Sequence, residues 1–229
     1  MKNEKYIVAT TKPWNINAFN EIIKNYQGDW TLITDPNKLN ISEVKAINPK
    51  YIFFPHWSEI VPDEILNSST CICFHETDLP FGRGGSPIQN LIIRGHNKTL
   101  ISAIKMTNKI DSGPVYIKEK LSLDGLAEEV FIRISKTVSK MILTIISNNI
   151  IPKKQVGDNT YFKRRTPSES RITENLSKLE DIFDHIRMLD AETYPKAFIE
   201  VNGFRYELSR PSMKTGELIS DVKITKIIK

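Results

Sequence analysis

The sequence predicts an α/β fold: an open, largely parallel sheet flanked by helices, followed by a small α+β unit. Three observations carry that prediction. Short runs rich in β-branched and aromatic residues alternate with helix-length amphipathic segments, the pattern of βαβ crossovers onto a parallel sheet. The composition shifts near residue 150, where a polar, turn-rich stretch begins. Beyond it, Asn202-Gly203 sits between two apolar runs, as in a β-hairpin. The expected division is a first domain over 1–150, then a linker and small C-terminal domain over 151–229.

The elements follow in order. Residues 6–10 (YIVAT) read as the first strand, and Ile16, Phe19, Ile22, Ile23 and Tyr26 then recur at helical spacing. A second strand covers 30–34, and a short helix over 42–48 takes Ser42 as its cap. Strands at 51–55 and 70–75 come next, then a short helix at 87–94 and strands at 100–106 and 114–121. A long helix over 126–147 aligns Val130, Ile134, Val138, Met141, Ile142 and Ile145 on one face. The C-terminal domain is expected to hold a helix over 178–189, the hairpin of 197–208 and a last strand at 222–228.

With 40% apolar and 26% charged residues, the 229-residue chain has the composition of a soluble globular protein. No apolar run approaches the ~18–20 residues that span a bilayer, and the N-terminus lacks signal-peptide features. A cytoplasmic protein with no membrane partner is expected. Cys71 and Cys73 share one face of a strand and supply half a metal site at most, so they read as packing thiols with no metal. The net charge of +5, from 32 basic and 27 acidic residues, suits a nucleic acid or a smaller phosphorylated ligand. Lys153-Lys154 and Lys163-Arg164-Arg165 concentrate it, without the aromatic interleaving of a single-strand binder.

One loop stands apart, FHETDLPFGRGGSPIQ over 74–89. His75 closes a buried-looking strand, and open α/β sheets place ligands beyond the carboxyl ends of their strands. Gly82, Gly84 and Gly85 leave backbone bare for close approach. Arg83 adds a planar donor fork suited to phosphate or carboxylate. Ser86 and Pro87 fit the cap and first position of the next helix. A second stretch, MTNKIDSGPVYIKEK, carries Asp111 in a turn, where by itself it reads as a residue bonding its own backbone.

Taken together, the two stretches resemble the catalytic domain of the formyltransferases that use 10-formyltetrahydrofolate. The matching positions are His75, Thr77, Leu79, Pro80, Arg83, Gly84, Gly85, Ser86, Pro87, Asp111 and Gly113, with the family's interval between His75 and Asp111. The resemblance covers roughly residues 5–150, and it implies a Rossmann-like sheet. It also implies His75 and Asp111 as the catalytic pair, the histidine moving a proton and the aspartate fixing its ring. His56, Trp57, Arg83, Asn108 and Asp111 would hold the 10-formyltetrahydrofolate.

Downstream, YFKRRTPSESRI and the segment after it resemble members that formylate nucleotide-linked amino sugars. The chain looks short for a methionyl-tRNA formyltransferase. The expectation is therefore an N-formyltransferase acting on a nucleotide sugar, with a UDP-linked 4-amino sugar of the pseudaminic-acid pathway as the finer choice and surface glycan synthesis as the setting. Its substrate residues would be Lys12, Asn15, Arg83, Gly84, Gly85, Phe162, Lys163 and Arg164. The implied partners are that small molecule and a second copy of the chain, with no nucleic acid.

One position departs from the family: Cys73 stands where an asparagine amide would stabilise the oxyanion. A thiol is a weak donor, so the glycine-loop N–H groups or Asn90 would take over that role. Alternatively, the protein binds folate or nucleotide without catalysis. A third reading has the basic C-terminal unit direct transfer onto aminoacyl-tRNA.

Overall fold

The computed structural model describes residues 3–228. Its central sheet has six strands in the order β2-β1-β3-β4-β6-β7. These are β1 (Lys5–Ala9), β2 (Asp29–Ile33), β3 (Tyr51–Phe54), β4 (Thr70–His75), β6 (Lys98–Lys105) and β7 (Val115–Ser122), with β5 reduced to Arg83–Gly84. The first four run parallel, with Ile7 beside Leu32's neighbour Thr31 on one side and Ile52 on the other. β6 runs antiparallel to β4, pairing His75 with Ser102. Strands buried on both faces read as continuous apolar runs, and Tyr6, Ile7, Val8 and Ala9 are all buried.

The chain divides into two compact units, each assembled from several segments: 1–84, 99–121 and 132–161, then 85–98, 122–131 and 162–229. The expected boundary at 150 is thus not where the first unit ends. Residues up to 161 stay with it because their backbone is bonded there: Lys153 exchanges two hydrogen bonds with Val115 at 2.7 and 2.8 Å, and the Thr160 carbonyl accepts from Arg83 at 2.9 Å.

In the first unit, α1 (Pro13–Ala18) opens on Pro13 and passes into a wider turn at Phe19–Ile23, so the expected regular helix is distorted midway. α2 (Ile41–Ile47) is capped by Asn40, not Ser42; the Asn40 side chain accepts from the Glu43 N–H at 3.0 Å. α3 (Asp63–Ser68) follows. Val44 of α2 and Ile65 of α3 join Ile7, Ile52, Phe54 and Cys71 in one apolar cluster. The long α5 (Ala127–Asn148) gives its residues from 132 onward to this unit. There it buries Ile134, Val138, Met141, Ile142 and Ile145, as its stripe predicts.

The second unit contains α4 (Pro87–Ile92), a short β8 (Tyr161–Phe162) that begins one residue before it, and α6 (Leu179–Arg187). Its sheet is antiparallel, in the order β11-β10-β9. β9 (Ala197–Val201) and β10 (Phe204–Lys214) turn at Asn202 and Gly203, both at positive φ, as the Asn-Gly signal requires. β11 (Glu217–Lys226) is longer than expected, because a second turn through Gly216 returns the chain directly. Ser86 leads into α4 but does not cap it: it is left-handed (φ 51°), and its hydroxyl accepts from the Arg165 N–H at 3.1 Å. Among the described residues, no helix is long and apolar enough to cross a membrane.

Candidate active site

β4 delivers His75 to its carboxyl end, where the chain leaves the sheet into the glycine loop. The imidazole is buried and held from both sides. Its Nε2 lies 2.7 Å from the Gly82 carbonyl oxygen. Its Nδ1 lies 3.6 Å from Asp111 Oδ2. A carbonyl oxygen can only accept, so the neutral ring carries its hydrogen on Nε2 and leaves the Nδ1 lone pair facing the carboxylate. Asp111 Oδ2 also accepts from the Gly84 N–H at 2.8 Å. The structure therefore brings together the histidine, the aspartate and the loop that the sequence singled out.

Asp111 sits in the left-handed region at φ 49°, unusual for a residue with a side chain. Gly113 follows it because nothing larger fits: an added Cβ would lie 1.7 Å from the Lys105 carbonyl oxygen. Gln155 closes the arrangement. Its Oε1 accepts from Arg83 Nη2 at 2.7 Å and Nε at 3.3 Å. Its Nε2 donates to the carbonyls of Asp111 and Gly113, both at 2.8 Å. Arg83 is also hydrogen-bonded to the Tyr161 hydroxyl and lowers that phenol's pKa. Gln155 and Thr160 were missed from the sequence, since both lie in the polar stretch that reads as a linker.

The electrostatics are set by burial. Glu76 has a carboxyl pushed up to about 7, mainly by desolvation and against the pull of His75. Cys73 is raised by burial first and then by the charges of Asp111 and Glu76, so it remains a thiol. Cys71 is pushed up to about 12 by burial.

The glycine loop does not present free donors for an oxyanion. Gly82 N–H goes to Thr160 Oγ1 (2.7 Å), Arg83 N–H to the Thr160 carbonyl, Gly84 N–H to Asp111, and Gly85 N–H to the Phe162 carbonyl (3.0 Å). Asn90 is also engaged: its Nδ2 donates to the carbonyls of Gly85, Ser86 and Lys163, each at 3.0 Å. Its Oδ1 accepts from Arg94.

Other expected positions are placed as follows. His56 is left-handed at φ 51°. Trp57 packs edge-on to Phe54, and its buried indole N–H has no hydrogen-bond partner among the described residues. Asn108 is exposed. Lys12, whose pKa burial lowers, stands 6.0 Å from the Trp14 ring centroid. Asn15 is turned to structural use, donating to Thr10 Oγ1 and the Pro55 carbonyl at 3.2 Å each. Lys12, Asn15, Arg83 and Gly84 belong to the first unit, and Gly85, Phe162, Lys163 and Arg164 to the second. Phe162 is buried with the Arg94 guanidinium over its ring at 4.8 Å. Gly85 is bare because Arg164 presses on it: an added Cβ would meet the Arg164 Cβ at 2.4 Å.

Comparison with known proteins adds the relatives. Residues 19–146 match the family described as formyl transferase, and residues 167–225 match the C-terminal domain of methionyl-tRNA formyltransferase. A methionyl-tRNA formyltransferase from Campylobacter lari is 30% identical over 169 residues, 72% of this chain and 54% of that protein. The chain thus spans about half the length of the curated relatives it matches. A solved structure described as methionyl-tRNA formyltransferase from Clostridium thermocellum is 49% identical, with a TM-score of 0.93 over 97% of this chain and 99% of that one. A 4-N formyltransferase from Francisella tularensis (TM-score 0.65) is only 16% identical and shares the fold alone.

These matches correct two expectations. A nucleotide-linked amino sugar as substrate, with no nucleic-acid partner, gives way to relatives that carry the methionyl-tRNA formyltransferase name. Chain length misled here, because the Clostridium thermocellum protein is almost wholly covered by this chain. The pseudaminic-acid choice finds no support among them.

Proposed function

Because this chain belongs to the formyl transferase family, we propose that it moves a formyl group from 10-formyltetrahydrofolate to the amino group of methionyl-tRNA. The observation that carries the chemistry is His75 Nδ1 facing Asp111 Oδ2 at 3.6 Å, with Nε2 fixed on the Gly82 carbonyl. The substrate reading rests on the 49% identical relative that matches over nearly its whole length.

The amine nitrogen attacks the formyl carbon, the bond from that carbon to the folate nitrogen breaks, and a proton passes from the amine to the departing nitrogen. His75 moves that proton. Nδ1 holds the available lone pair, and Asp111 stands 3.6 Å from it, close enough for one water placed beside the pair, not between them, to bond both. Once Nδ1 is protonated, both ring N–H groups have acceptors in place, the Gly82 carbonyl and Asp111. A positioned carboxylate stabilises the imidazolium far better here than in water, since both side chains are largely buried. Cys73, kept as a thiol, is a weak donor, whereas a thiolate would repel the developing oxyanion.

The formyl donor supplies the one-carbon unit. The turn of Asn108 and Asp111 offers it backbone groups. The net charge of +5 suits a polyanionic acceptor substrate, with Lys163 and Arg164 exposed. The test is direct: purified protein with 10-formyltetrahydrofolate should formylate methionyl-tRNA, but not free methionine. Failure to formylate it, with activity on an amino-sugar nucleotide instead, would overturn the reading.

A further inference from the structure

We infer that Gln155 is a positioning residue for the reaction, a strap that holds the Asp111 turn and the Arg83 loop in register so that the carboxylate faces His75. This deepens the functional reading above and rests on it. An amide has two acceptor lone pairs and two donor hydrogens, and Gln155 uses all four: the oxygen takes two N–H groups of Arg83, and the nitrogen serves two carbonyls, Asp111 and Gly113. The amide can therefore sit only one way round.

Each end of the strap grips one side of the catalytic contact. Arg83 immediately precedes Gly84, whose N–H donates to Asp111 Oδ2. Asp111 itself is held left-handed at φ 49°, a conformation a side-chain-bearing residue adopts at a cost and keeps only with outside support. Gln155 supplies support at the carbonyl of that very residue, and the paired backbone bonds between Lys153 and Val115 anchor Gln155's own segment. Without the strap, Asp111 is free to relax towards ordinary φ and swing its carboxylate away from Nδ1.

Gln155→Ala and Gln155→Glu separate this role from general stability. The glutamate still accepts from Arg83 but offers the two carbonyls no donor, so both variants release the Asp111 turn and only one releases Arg83. Both should lower kcat for methionyl-tRNA by roughly 10- to 100-fold, the scale of a small misplacement of a catalytic group. KM should change by less than about twofold and Tm by only a few degrees. On an Asp111→Asn background neither variant should cause further loss, because the group being positioned is already gone. Amide hydrogen exchange at Gly84 should quicken by about tenfold in both. Unchanged kcat and Gly84 protection in Gln155→Glu overturn the proposal, as does an undiminished loss on the Asp111→Asn background. If wild-type protein formylates no methionyl-tRNA, the functional reading falls, while Gly84 exchange still decides whether Gln155 holds the turn.

Discussion

His75 Nδ1 stands 3.6 Å from Asp111 Oδ2, and the same oxygen takes the N–H of Gly84 at 2.8 Å. One carboxylate atom thus faces both the ring proposed to move the proton and the loop that follows that ring. Asp111→Asn separates these duties. The asparagine oxygen still accepts from Gly84, but the charge opposite the imidazolium is lost. Expected is a fall in kcat on the order of 10²–10⁴ with Tm changed by a few degrees at most, read by steady-state kinetics and thermal melts.

Glu76 gives the protein a pH-dependent weakness. Its pKa rises from 4.5 to about 7 on folding, chiefly through burial. Below about pH 4.5 both states hold the proton and the group has no effect on stability. Between 4.5 and 7 the folded state binds more proton than the unfolded one, so stability falls as pH rises. Above 7 the cost is constant, at about 3 kcal/mol. Glu76→Gln should therefore melt several degrees above wild type at pH 8 and level with it at pH 4. An equal gain at both values would show that ionisation is not the cause.

Gly113→Ala should be among the more damaging single methyl additions in the molecule. The new Cβ has a backbone oxygen at 1.7 Å, and that oxygen belongs to β6, which cannot yield as a flexible side chain would. A loss of about 1–3 kcal/mol or more is expected, seen as a lower denaturation midpoint. Activity should fall with it, because the displaced turn carries Asp111.

Methionyl-tRNA binding should weaken with salt. Log KM against log salt concentration should be linear, and Lys163→Ala with Arg164→Ala should flatten its slope while leaving kcat unchanged. A KM indifferent to salt would point to a small, weakly charged acceptor.

Much of the fold and part of the site were legible in the sequence. β1, β3 and β4 announce themselves because a strand buried on both faces has no polar positions to break its run. His75 and Asp111 were paired by the family resemblance, since Asp111 on its own reads as a turn residue, and the fold brings the two to 3.6 Å. Helix caps were harder: Asn40 and Ser42 are both good cap residues, and only the path of the backbone selects the first. Ser86 failed as a cap because its left-handed backbone turns the hydroxyl towards Arg165. Gln155 and Thr160 were illegible for a general reason: they bond backbone atoms more than 40 positions away, and such bonds leave no periodicity or composition behind. The substrate was misread because length and junction wording are not properties of the reacting groups.

His75→Ala tests the central claim most directly. In a single-turnover reaction with 10-formyltetrahydrofolate and methionyl-tRNA, the rate of formyl-methionyl-tRNA formation should drop by at least about a thousandfold, with melting behaviour close to wild type. Formation at a near-wild-type rate in a correctly folded His75→Ala protein would contradict the role given to the imidazole.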